Sequence, residues 1–147
     1  MNNNIKHAVL TLEQQRAQRA WDDAIKAQQI LGKDEYDKYV NLTKSLPALI
    51  MNSGLLPVMA FCHEKGLDKK TGQPKITDRH TWLAGQLRAA IRQQFAELPE
   101  EFHGFMKYLM NANPSTYQAV VSEAFFVLRW MRQMAAALPA ASKKDGG

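Results

Sequence analysis

Cysteine is nearly absent: Cys62 is the only one in 147 residues. A lone thiol excludes an internal disulfide framework and a cysteine-based structural zinc site, and it fits a reducing cytoplasm. Long apolar runs are missing too. The best, Ala124-Phe125-Phe126-Val127-Leu128, is flanked by Glu123 and Arg129, well short of the ~18 residues that read as a membrane span. The opening Met1-Asn2-Asn3-Asn4 is polar with no long apolar stretch behind it, so no secretory signal is expected. There is no glycine-rich phosphate loop, no strand-like alternation, no fixed-period repeat and no low-complexity block. Acidic residues are in deficit, with 14 Asp and Glu against 19 Lys and Arg for a net charge of +5. Such an excess permits binding to a polyanion without requiring it.

What is present reads as one helical domain over residues 1–147. Apolar residues make up 46% and charged residues 22%, which excludes a disordered chain. A chain of this length buries about 70% of its unfolded surface, enough for one core. Thr11-Leu12-Glu13-Gln14 is a capping box opening a helix from Leu12 to Leu31, with Gly32 as its left-handed stop. Ala17, Ala20, Trp21, Ala24 and Leu31 share one face of it. Asp34 caps a second helix through about Ser45, and Pro47 starts another through about Asn52, because proline disfavours a helix interior. Gly54 breaks the path, and Leu55 to Lys65 is helical up to Gly66. Leu46 to Leu56 is almost wholly apolar, a pattern expected at the centre of a bundle. Leu67 to Ile76 is a long, basic, mobile loop. Thr77 or Asp78 caps a helix to about Ala96, Pro99 opens one to about Asn111, and Ser115-Thr116-Tyr117-Gln118 opens the last, to Leu138. The fold class is therefore all-α: a compact bundle of about six helices, ordered over about 8–138, with one long basic loop (67–76) and a loose tail (139–147).

Catalytic chemistry is hard to place on this pattern. His7, His63, His80 and His103 are scattered, with no pair at metal-ligand spacing on one helix. Glu100 and Glu101 are adjacent and point to different faces, so they suit a helix start better than acid/base work. Cys62 beside Phe61 reads as a buried small hydrophobe. No catalytic residue, metal or cofactor is expected. A small enzyme would need a convergent site around His80 or His103. Trp21, Trp82 and Trp130 read as core or interface residues, so no base-stacking platform and no sequence specificity are expected.

The basic residues carry more signal. At 100° per residue, Thr81, Gly85, Arg88 and Arg92 form a narrow stripe opposite Leu83, Leu87 and Ile91. On the first helix Arg19 and Lys26 face away from the Ala/Trp stripe, with Arg16 on its flank. On the last helix Gln118, Ser122, Arg129, Arg132 and Gln133 form a polar stripe with Phe125 in its middle. Lys44 adds a further basic position. These faces read either as solvated surface or as surfaces for phosphate or subunit contact, since the arginine fork suits phosphate.

Three stretches resemble a known family. They are Thr11-Leu12-Glu13-Gln14-Gln15-Arg16-Ala17 with Ala20; Tyr39, then Leu46-Pro47-Ala48-Leu49-Ile50-Met51-Asn52-Ser53-Gly54-Leu55, then Met59-Ala60-Phe61; and Tyr117-Gln118-Ala119, Glu123-Ala124, Leu128-Arg129-Trp130-Met131-Arg132 and Ala135. Across roughly residues 11–138 the chain resembles the small all-helical subunit of the type III-B CRISPR RNA-targeting (Cmr) effector complex. The resemblance implies a non-catalytic subunit in prokaryotic antiviral defence. It would stack with copies of itself into a short filament beside the backbone and large subunits, and line the guide RNA and target RNA groove. Arg16, Arg129 and Arg132 fall inside the matching stretches. Arg19, Lys26, Lys44, Arg88, Arg92 and Phe125 rest on the stripe argument alone. The alternative is a helical protein–protein adaptor without RNA contact. A cytoplasmic location and no membrane association are expected.

Overall fold

The computed structural model describes residues 9–140. Among them are six helices: α1 (Leu12–Ile30), α2 (Lys33–Ser53), α3 (Leu55–Gly66), α4 (Arg79–Arg92), α5 (Phe102–Asn111) and α6 (Pro114–Ala137). The Thr11 capping box is formed in both directions, with the Thr11 hydroxyl accepting from Gln14 N at 3.0 Å and Gln14 Oε1 accepting from Thr11 N at 2.9 Å. α6 packs on α1, α2 and α4; α2 also packs on α3 and α4, and α5 leans on α3. The core runs through all six, from Ala20, Ala24 and Ala27 on α1 to Val120, Ala124, Leu128 and Met131 on α6. Alanines on α1 remove side-chain bulk, so α6 lies close against it along its length. Trp21 departs from expectation: it is turned to solvent, and Asp23 occupies the buried sector beside the alanines.

Pro47 does not divide α2, which runs unbroken through it. An interior proline costs about 3 kcal/mol. Tyr39, Leu42, Thr43, Leu46 and Ile50 are all buried on one continuous face, and each large apolar side chain returns about 1.5–3 kcal/mol when buried. The face outweighs the missing hydrogen bond. The apolar stretch is not central all round either, because Leu49 and Met51 are exposed while Leu46, Ile50 and Leu55 are buried.

Other boundaries shift for local reasons. Gly32 is extended (φ −66°), not left-handed, and is the N-cap of α2 in place of Asp34. The buried Leu31 carries the chain directly from one helix into the next. Asp78 caps α4, its carboxylate accepting from His80 N and Thr81 N. α4 stops at Arg92 rather than near Ala96. Gln93, Gln94 and Phe95 donate three residues back, a tightening that turns the chain so that Leu98 is fully buried. α5 begins after Glu101, not at Pro99; the Glu101 carboxylate accepts from His103 N and Gly104 N. α6 has Pro114 at its first turn and Asn113 as its cap, two residues before the expected Ser115 box.

The basic loop is folded on itself. Asp68 N donates to Gln73 O, Gly72 N to Asp68 O and Lys75 N to Gly66 O, at 2.7–2.8 Å. The Asp68 carboxylate accepts from Lys70 N and Thr71 N. This turn starts at Gly66, where the end of α3 lies against Thr81 of α4. A Cβ on Gly66 would lie 2.2 Å from Thr81 Oγ1, so only glycine fits there. The tail beyond Ala140 and the start before Val9, including His7, lie outside the described residues.

Candidate functional site

Two of the groups that could do covalent chemistry, Cys62 and His80, are buried or already engaged. Cys62 is fully buried, and burial pushes its thiol up to about 11, which keeps it protonated and inert. The Asp78 Oδ1 atom that lies 3.2 Å from His80 Nδ1 also caps α4. Among the described residues no three His, Cys, Asp or Glu side chains gather as a metal site would require.

The histidines bear on stability instead. Burial holds His63 and His80 below the ordinary imidazole value of 6.5; Arg88 and His103 push His63 the same way, and Asp78 pulls His80 partly back. Unfolded imidazoles therefore take up protons before the folded ones do. The stability tied to these groups is complete above pH 6.5 and is lost as pH falls through their folded values. Asp23, raised chiefly by burial against the pull of Arg19, works in the opposite sense. A lower urea midpoint is expected at about pH 5.5 than at about pH 7.5, with His63→Gln reducing the difference. A midpoint that rises on acidification in both proteins contradicts this account.

The basic candidates separate into two groups. Four arginines are engaged within the chain. Arg16 on α1 grips Glu123 on α6 with both forks, Nε to Oε2 at 2.8 Å and Nη2 to Oε1 at 2.6 Å. Its guanidinium also lies 4.7 Å over the Phe126 ring. Arg19 pairs with Asp23 one turn on, Nε to Oδ2 at 3.2 Å. Arg88 Nε donates to Glu100 O, and Arg92 Nε to Leu98 O. The second group is Lys26, Lys44, Arg129 and Arg132, all exposed and without a salt bridge among the described residues.

On α6 the polar stripe faces solvent as the spacing predicts: Gln118, Ser122, Arg129, Arg132 and Gln133 are exposed. Phe125 is half-buried and packs on the core, whereas its neighbour Phe126 is the exposed aromatic ring beside the stripe. Sequence reasoning missed Phe126 and Glu123. A signal for Glu123 exists, since it lies on the same helix face as Val120, Ala124 and Val127 and is only 5% exposed. A carboxylate there demands a cation from a neighbouring helix.

No helix among the described residues is long and apolar enough to cross a membrane. No curated protein matches the chain. A family model, described as CRISPR-associated protein (Cas_Cmr5), matches residues 12–138, a span that begins at the first residue of α1 and ends one residue beyond α6. The match thus covers the whole helical bundle and not one motif within it, and this chain belongs to the Cas_Cmr5 family, the small subunit of the type III-B CRISPR Cmr complex.

Proposed function

We propose that this chain is a non-catalytic, RNA-contacting subunit that stacks with copies of itself inside the cytoplasmic Cmr complex and supports the guide and target RNA with the outer face of α6. The observation that carries this reading is the pair Arg129 and Arg132. Both are exposed, both lack an internal partner among the described residues, and three-residue spacing sets them on one helix face. Lys26 and Lys44 supply further cations free to meet phosphate. Arg16, Arg19, Arg88 and Arg92 act behind this surface, holding helices and turns in place. Fork-shaped donors without internal acceptors suit a phosphate backbone, and no base readout is needed.

The double substitution Arg129→Ala/Arg132→Ala tests it. Each lost phosphate contact removes about 0.7 from the log–log salt slope on single-stranded RNA, so the slope falls by about 1.4 and affinity at low salt by about tenfold, with helicity unchanged. Undiminished RNA affinity in the folded double variant defeats the reading. The exposed Phe126 ring favours a second reading, a protein-binding adaptor. That reading requires partner binding with little salt dependence, lost in Phe126→Ala and indifferent to Arg129 and Arg132.

A further inference from the structure

A cleft of about 430 Å³ opens between the end of α3, the turn at Gly72–Pro74, the middle of α4 and the start of α5. It shares no residue with the outer face of α6. Its volume lies in the range of small-molecule sites, and two features of its wall define a ligand chemistry.

The first is aromatic. The His63 and Phe102 rings stack with centroids 3.8 Å apart and planes 5° from parallel, and His103 stands edge-on to both. The second is a cation held part-way out of water. Arg88 reaches the cleft from α4 with its Nε on the Glu100 carbonyl. Its two terminal amino groups make no hydrogen bond or salt bridge among the described residues, and burial pulls its pKa below the ordinary guanidinium value, with the nearby Glu100 and Glu101 carboxylates pulling it partly back. A half-buried fork with free donors gains more from an anion than an exposed one does, because screening by water is weaker there. Glu101, the acid on the wall, is committed to the α5 start through His103 N and Gly104 N. Flat rings beside an unsatisfied guanidinium match a base joined to a phosphate. Stacking accepts any base, since every base has a π-face.

We propose that this cleft binds a single nucleotide, its base against the His63–Phe102 ring pair and its phosphate on Arg88. A free mononucleotide and one nucleotide of an RNA strand present the same chemistry, and the test separates them. The full chain is titrated with 5′-AMP and, separately, with a short oligoadenylate, while backbone amide shifts are followed by NMR. The shifts are expected to concentrate at residues 63, 88, 102 and 103. Phe102→Leu keeps apolar volume but removes the ring, and Arg88→Gln removes the charge; each is expected to weaken binding about tenfold. Should Arg88→Gln fail to fold, Phe102→Leu alone carries the test.

Binding of AMP at these residues assigns the cleft to a free nucleotide. Cleft shifts with the oligomer alone, lost in Phe102→Leu, assign it to a strand. AMP binding is expected to persist in Arg129→Ala/Arg132→Ala, so failure of the α6 reading leaves this one standing. The proposal is overturned if neither ligand shifts the cleft amides, or if binding survives both cleft substitutions.

Discussion

Arg16→Ala is expected to destabilise this chain by about 2–3 kcal/mol, below the range of about 3–5 for removing one partner of a fully buried pair, because Arg16 is only partly buried. Glu123 is only 5% exposed and takes both of its strong bonds from Arg16, at 2.6 and 2.8 Å. Deleting the guanidinium leaves a carboxylate facing the interface of α1 and α6, the most extensive helix pair in the bundle. The penalty comes from the stranded charge more than from the lost attraction. Glu123→Gln is expected to be milder, because the cation it leaves, Arg16, is less buried than Glu123 and its guanidinium can turn toward water. Replacing both partners with apolar residues, Arg16→Met with Glu123→Leu, is expected to recover most of the loss. Urea denaturation reads all three. A single Arg16→Ala variant as stable as the parent would falsify the clamp. The stable double variant also isolates function: if Arg16 acts only within the chain, its RNA affinity equals that of the parent.

The second large effect is at the corner between α2 and α3. Gly54 has φ 95° and ψ 159° and closes one helix while opening the next. Its N–H donates to Ile50 O and its carbonyl accepts from Val58 N. That backbone region is open essentially to glycine alone, so Gly54→Ala costs about 1–3 kcal/mol in strain. Space is not the cause, because an added Cβ meets nothing nearer than Pro57 Cδ at 3.5 Å. Gly32→Ala is the control. With φ −66° and no neighbour within 4 Å of an added Cβ, it is expected to cost clearly less than Gly54→Ala, because the poorer N-cap preference of alanine is offset by its smaller loss of freedom on folding. Equal loss at the two glycines in thermal melts contradicts the conformational argument.

Gly32 and Gly54 also show where legibility stops. Both follow a helix, and both read as breaks. Only the direction of the chain after each break distinguishes them, and packing of Leu31 and Leu55 into the core sets that direction. Pro47 is the same lesson at larger scale. Its intrinsic preference is local and unfavourable, but the buried stripe on either side of it is a property of the assembled bundle. The arginine stripes were visible as spacing. Spacing alone does not separate Arg129, which faces solvent, from Arg88, whose Nε is tied to Glu100 O.

By itself the sequence determined the all-α class, the Thr11 cap, the exposed face of α6 and the family resemblance. Each depends on hydrophobic periodicity, capping chemistry or motif order, which act over a few residues or are carried along the chain. The tertiary structure alone decided that Arg16 meets Glu123 across 107 positions, and that Phe126 rather than Phe125 is the exposed ring. It also decided that His63, Arg88 and Phe102 line one cleft. Those pairings follow from how helices cross and rotate about their axes. That rotation is set by burial summed over the whole core, not by any segment read alone.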